Sequence, residues 1–283
     1  MYEPLDVPER GTTVGPSFWD SAAELPRVWL EMSSLTYLWP LLATVPRGDG
    51  HTVMVLPGFT AGDQSTLVLR RLLTRLGYNA LPWELGQNTG SFELQDRLRE
   101  RFNAVVDANP GKISLVGQSL GGVYARILAH DRPDRVRCVI TLGSPFASTS
   151  PDTVNPVVSR LFQNVSGMDR EQMRNQMTDV PAKAPPVPST AIYSKTDGVV
   201  HWRTCLEYEG NQTENVEVVG SHSGMAFNPL VLRVIADRLS QTEDSWRQFR
   251  RRGCFSLLYP DPEATQPSMS SGRHGTVGAG STG

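Results

Sequence analysis

Ser119 stands in Gly117-Gln118-Ser119-Leu120-Gly121, directly after the apolar run KISLVG (112–117) and directly before a segment, 120–130, with apolar residues at three- and four-residue spacing. A serine at a strand-to-helix junction, with glycines two positions before and two after, has the context of a nucleophile elbow. Such a turn brings the glycines so close together that neither can carry a Cβ, and it strains the serine backbone so that the hydroxyl is lifted off the sheet. The amide of Leu120 opens the helix, where unpaired N–H donors and the helix dipole favour a developing negative charge. These residues suit nucleophilic attack on an acyl carbon, with the oxyanion received by that amide. A Gly-rich loop that cradles phosphate would instead need a P-loop lysine or G-x-G-x-x-G spacing, and the segment has neither.

A serine so placed needs a parallel sheet beneath it. Short β-branched runs read as buried strands at 52–57, 78–83, 112–117, 137–143, 190–195 and 215–220. Between them, 64–76, 92–108, 120–130 and 229–239 carry helical periodicity. The fold class is therefore α/β, a mostly parallel sheet flanked by helices, in one domain over 51–260. Two segments break the alternation. About 45 residues, 146–188, fill a connection for which 2–6 would suffice, and they contain candidate helices at 155–163 and 170–177, Met168, Met173 and Met177, and a Pro-rich return. This insertion is expected to act as a lid, or else as rigid packing. The tail, 261–283, is rich in Gly, Ser, Thr and Pro and is expected to be disordered. Residues 1–50 form an N-terminal helical extension packed on the core, in which 28–45 reads as an amphipathic helix interrupted by Glu31, two serines and Pro40.

Composition limits the function classes. Lys+Arg total 27 and Asp+Glu 29, giving a net charge of −2, so no basic surface invites nucleic acid. No run reaches the ~18–20 apolar residues that span a bilayer. The segment MYEPLDVPER lacks the basic and apolar regions of a signal peptide, which makes the cytoplasm the expected location. Cys138, Cys205 and Cys254 lack metal-ligand spacing and read as a reduced set, with a Cys205–Cys254 bridge as the alternative.

The chain resembles the α/β-hydrolase superfamily, and within it bacterial lipases and carboxylesterases with a GxSxGG elbow. The resemblance runs from 52 to 239 through LPGFTAGD, LVGQSLGG, ITLGSPF, YSKTDGVV and GSHSGM. It implies an α/β-hydrolase fold, no metal or organic cofactor, and a triad in the chain order Ser, Asp or Glu, His, each at the carboxyl end of a strand. The positions that match are Asp197, beyond the strand TAIYSK, and His222, after NVEVVG. His201 lies only four residues from Asp197 and would share its loop; His51 precedes the first strand, His130 ends a helix as a cation favoured there, and His274 is in the tail. The resemblance also implies a second oxyanion amide from the loop after the first core strand, assigned to Phe59. Asp63 is expected to cap the next helix. Candidate pocket residues are Thr60, Trp83, Gln87, Asn88, Gln118, Phe146, Val199 and Met225, with a turn at 88–90 the equal alternative for Asn88.

The expected activity is hydrolysis of a carboxylic ester through an acyl-enzyme, on a small-molecule or lipid substrate. The lid or the N-terminal helix would touch a membrane or lipid surface. A thioesterase or acyltransferase on the same triad is the alternative, because one fold serves several acyl acceptors; a binding protein that had lost turnover would not need all three side-chain types in place.

Overall fold

A computed structural model describes residues 15–147, 151–169, 171, 172, 175, 181, 183–208, 210–251 and 258–260. Six strands, β1 (Thr52–Leu56), β2 (Asn79–Leu81), β3 (Ile113–Gln118), β4 (Val136–Leu142), β5 (Ser189–Tyr193) and β6 (Thr213–Glu217), form one sheet in the order β2-β1-β3-β4-β5-β6. Every pairing is parallel. The central strands are largely apolar because both faces are covered, and alternate residues serve opposite cores. In β1, Val53 and Val55 join the cluster that includes Leu69, Leu72 and Leu73 of helix α3 (Leu67–Leu76). Met54 and Leu56 join the cluster on the other face, with Leu98 and Phe102 of α4 (Phe92–Asp107) and Leu128 of α5 (Leu120–Asp131).

The chain leaves β1 for the edge strand β2 and returns to pair β3 on the other side of β1. That reversal opens a crevice beyond the carboxyl ends of β1 and β3, where doubly wound sheets bind ligands. The core elements lie where periodicity places them, with displaced ends. The second strand is shorter than 78–83, and α3 begins three residues later than expected because 63–66 form turns. Asp63 does not cap α3, whose N-cap is Thr66. Its carboxylate instead accepts from the amides of Trp83 (3.1 Å) and Glu84 (3.2 Å), tying the loop after β1 to the loop after β2.

In the insertion, α6 (Pro156–Ser166) is capped by the Asn155 side chain, which accepts from Val157 N. Most of 170–177 lies outside the described residues, as do Cys254, His274 and 261–283. The last helix, α7 (Pro229–Leu239), packs with α3 on one face of the sheet.

At the start of the described chain, α1 (Phe18–Ala22) and α2 (Glu24–Leu42) lie against the core; Leu35 and Leu42 in the second half of α2 pack into it, while the first half turns polar residues inward. Glu24 and Glu31 are buried, whereas Leu25, Trp29, Leu30 and Tyr37 are at least 70% exposed. No helix among the described residues is long and apolar enough to cross a membrane.

Arg126 of α5 is fully buried and paired with Glu207. Glu207 also accepts from Ser189 Oγ (2.7 Å) and Tyr208 N (3.0 Å), while Arg126 donates to Lys183 O (2.9 Å) at the return of the insertion. Removing one member of a buried pair leaves the other charge uncompensated. Glu207→Gln is therefore expected to cost about 3–5 kcal/mol of folding stability. Urea unfolding at neutral pH measures it, and an unchanged midpoint would show that the pair is not what holds α5 to the insertion's return.

Candidate active site

The elbow is built by close approach of backbone to backbone. A Cβ on Gly117 would fall on the Gly121 carbonyl, and one on Gly121 would fall on the carbonyls of Leu56 and Pro57 at the end of β1. Helix α5 can therefore start directly above β3 and beside β1 only with glycine at both places. Between them Ser119 takes φ 51° and ψ −123°, a conformation that costs a non-glycine residue of order 1–3 kcal/mol. Its amide is anchored on Leu142 O of β4 (2.8 Å). Its Oγ makes no hydrogen bond to a described residue, and the side chain is half-buried.

The loop after β1 passes against this serine: a Cβ on Gly58 would sit 3.3 Å from Ser119 Cβ. Asn88, wholly buried, holds that loop. Its Nδ2 donates to Pro57 O (2.9 Å), its carbonyl accepts from Thr60 N (2.8 Å), and its amide donates to Ala61 O (2.8 Å). Thr60 takes φ 61° within this loop. The amides of Phe59 and Leu120, on either side of Ser119, donate to no described residue.

The third and fourth loops bring a buried acid and imidazole together. Asp197, 3% exposed, follows β5, and its Oδ1 accepts from Val199 N and Val200 N, both at 2.8 Å. Those two bonds aim Oδ2 at His222, whose Nδ1 donates to it at 2.7 Å. An ionised carboxylate only accepts, so Nδ1 carries the proton and Nε2 is left with its lone pair in the neutral ring. Burial disfavours the charged ring, but the Asp197 charge and hydrogen bond, with the Glu24 charge behind them, outweigh it and hold the His222 pKa above the ordinary histidine value. Gly143, next after the Leu142 that anchors Ser119 N, places this pair beside the elbow. A Cβ there would be 3.1 Å from His222 Nδ1 and 3.2 Å from Asp197 Oδ2. Gln118 Nε2 donates to His222 O (3.0 Å), tying the residue before the serine to the histidine itself.

Other sequence candidates lie apart from this cluster or serve it from behind. Trp83 is fully buried, with its indole N–H on Gly86 O (3.0 Å), which leaves it no surface toward a substrate. Gln87 is exposed and donates to Thr60 O (3.0 Å). Phe146 is buried under the Arg126 guanidinium, and Met225 in the core beside Gly143; Val199 is half-buried. His201 accepts from Arg203 N (3.3 Å), stacks on Trp202 and does not meet Asp197. His130 sits at the end of α5 as expected, but it bonds Lys183 O (3.2 Å) and burial pushes its pKa down, so it is not the helix-end cation.

A second Ser–His–Asp chain stands at the opposite end of the sheet. His51 Nδ1 donates to Asp49 Oδ1 (2.5 Å), and Ser114 Oγ bonds His51 Nε2 (2.8 Å). Ser114 is wholly buried in the sheet, at a register shift between β3 and β4 but without a positive φ, and Cys138 Sγ donates to its hydroxyl (3.3 Å). No acyl group can reach it, and the chain serves to satisfy buried polar atoms.

Sequence reasoning missed four residues behind the site. Glu24 and Glu31 of α2 accept from backbone amides of the His222 loop, Ser21 donates to Gly198 O (2.8 Å), and Arg27 donates to Thr196 O (2.6 Å). The available signal was two glutamates seven residues apart, two helical turns, on one face of a helix rich in large apolar residues.

Comparison with known proteins bears on the fold. A family model described as the alpha/beta hydrolase fold matches residues 86–183, which include the elbow and most of the insertion. Curated proteins yield no match to the sequence. Among solved structures, Paleococcus ferrophilus monoacylglycerol lipase is similar with a TM-score of 0.50 and 14% identity, over 68% of this chain and 96% of that one. Aspergillus fumigatus lipase B is similar with a TM-score of 0.55 and 16% identity, over 76% of this chain and 58% of that one. The parallel sheet, its strand order, the elbow and these likenesses together show that the chain has the α/β-hydrolase fold.

Proposed function

We propose that the chain hydrolyses carboxylic esters, with Ser119 as nucleophile, His222 as general base and then general acid, and Asp197 as the group that orients the imidazole. The observation that carries the reading is a strained, glycine-flanked serine at the same edge of the sheet as a buried His222–Asp197 hydrogen bond. Ser119 Oγ attacks the acyl carbon while its proton passes to His222 Nε2, and the unpaired amides of Phe59 and Leu120 receive the oxyanion. Collapse of the tetrahedral intermediate breaks the ester C–O bond as His222 returns the proton to the departing alkoxide. Water repeats the sequence on the acyl-enzyme and restores Ser119. A free Ser119 hydroxyl agrees with this role, because catalytic hydrogen bonds commonly close only around substrate. The residues named need no metal or organic cofactor.

The reading extends to apolar acyl chains on small-molecule or lipid esters. Phe162 of α6 packs on Phe59 with ring centroids 4.8 Å apart, and a Cβ on Gly90 would lie 2.6 Å from that ring and 3.4 Å from the Leu120 side chain. Such contacts support a cap formed by α6 over the acyl side of the site. The exposed Phe18, Trp19, Trp29 and Tyr37 on the outer faces of α1 and α2 support contact with a lipid surface.

Ser119→Ala is expected to lower kcat by a factor on the order of 10⁶ and to abolish labelling by a fluorophosphonate. His222→Ala should be nearly inactive while His201→Ala keeps most activity, measured on a short p-nitrophenyl ester; the reverse order would reassign the base. Because only the neutral imidazole takes the proton and its pKa is raised, activity should rise with pH through a value above the ordinary ~6.5. An acid limb of kcat/KM at or below that value would contradict the His222–Asp197 pairing in solution.

Removing the Phe162 ring should weaken recognition of long chains, since each buried CH₂ is worth about 0.8 kcal/mol. The ratio of kcat/KM for octanoate over acetate esters is expected to fall in Phe162→Ala, with the acetate value little changed. An unchanged ratio would place acyl selection elsewhere than under α6.

A further inference from the structure

We infer that helix α2 belongs to the catalytic apparatus, holding the His222 loop and the Asp197 loop in register through the buried carboxylates of Glu24 and Glu31. Both glutamates act as positioning residues, and the inference rests on the reading of His222 and Asp197 given above.

The His222 loop lies between β6 and α7, and three consecutive amides in it end on α2. Ser221 N donates to Glu31 Oε1 (3.0 Å), His222 N to Glu24 Oε2 (3.2 Å) and Ser223 N to Glu24 Oε1 (2.7 Å). Glu31 is completed by the Ser221 hydroxyl and by Asn228 Nδ2 (3.0 Å). The Glu31 carboxylate enters the loop where Gly220 and Gly224 lack side chains, and a Cβ on either would overlap it. The sequence Gly-Ser-His-Ser-Gly is thus shaped to receive a carboxylate from outside the core.

The same Glu24 Oε2 also accepts from Gly198 N (3.2 Å), the residue after Asp197. One oxygen therefore fixes the separation of the two loops whose side chains form the His222–Asp197 bond. Ser21 and Arg27 hold the Asp197 loop from the same side, through the carbonyls of Gly198 and Thr196. Two buried carboxylates next to a third would be costly without such saturation. Each accepts at least three hydrogen bonds, so their burial is matched to these loops and to little else.

An amide in place of the Glu24 carboxylate keeps the shape but turns an N–H₂ toward an N–H, and it removes a negative charge near the ring. The charged groups that face His222 are Asp197 from the loop after β5 and Glu24 from α2. Glu31 lies beyond Glu24 on the same helix, and Cys205, near Asp197, is kept neutral by burial.

The test uses the full chain carrying Glu24→Gln, with Ser221→Ala as a milder variant that removes only the hydroxyl donor to Glu31. Thermal unfolding first establishes folding. NMR of the ¹⁵N-labelled imidazole then follows His222 through pH, and kcat and KM are measured on a short ester. For Glu24→Gln the expected result is a folded protein with KM within about twofold, kcat reduced about ten- to hundredfold, and a His222 pKa lower than in the unaltered chain. Ser221→Ala should lower kcat severalfold at constant KM. A folded Glu24→Gln protein with unaltered kcat and unaltered His222 titration would overturn the inference. So would an unaltered kcat in Ser221→Ala if Glu24→Gln fails to fold. Loss of the ester-hydrolase reading would appear separately, as failure of the unaltered chain to take up a fluorophosphonate at Ser119, while the His222 titration would still report on the clamp.

Discussion

The backbone crossing at Gly117 and Gly121 is the constraint from which the site's geometry follows. Two peptide segments pass so closely that a single methyl group on either would push helix α5 off strand β3 or away from the end of β1. Because Ser119 lies between them, its strained φ is fixed by packing on both sides and needs no partner for its hydroxyl. The same contact sets where the first turn of α5 can lie, and hence where the Leu120 amide points its unpaired hydrogen. The loop after β1, braced by Asn88, is pressed against the serine because Gly121 brings the helix start onto Leu56 and Pro57.

The two Ser–His–Asp chains show what hydrogen-bond geometry does and does not decide. Asp49–His51–Ser114 has the more complete set of contacts, with the serine already bonded to the imidazole. Yet its serine is sealed within the sheet and lacks the left-handed φ of Ser119. Arg137 on Asp49 and burial of His51 settle that cluster into a neutral imidazole with an ionised acid, a structural arrangement. At the other end the serine is strained, half-buried and without a hydrogen bond to a described residue, and the imidazole is held toward its charged form. Accessibility and stored strain, more than the count of hydrogen bonds, distinguish Ser119 as the proposed nucleophile from Ser114.

Much of this arrangement was legible in the sequence because its causes are local. Strands covered on both faces are rich in apolar, β-branched residues, and the elbow glycines sit at fixed offsets from the serine. Asp197 and His222 were found through resemblance and chain order, and the structure brings them to 2.7 Å. What could not be read depends on contacts between distant segments. Asp63 follows a loop and precedes a helix, so it reads as a cap, yet its carboxylate is taken by two amides some twenty residues on. Trp83 and Asn88 look like pocket residues in a loop after a strand, but one packs the core and the other braces a neighbouring loop. Helix α2 was the largest gap, because the rule that the apolar side faces inward holds for Leu35 and Leu42 and fails in its first half. There two glutamates and an arginine turn inward, since the surface they meet is a row of backbone amides and carbonyls.

The bond from Glu24 to His222 N joins residues 198 positions apart. Closing a loop of that length carries a large entropic cost, which is recovered only after the segments between have packed. The bond from α2 to the His222 loop therefore depends on the packing of the sheet between them. On the roles proposed for Ser119, Asp197 and His222, the imidazole is thus held only in a chain whose sheet and first helices are packed together.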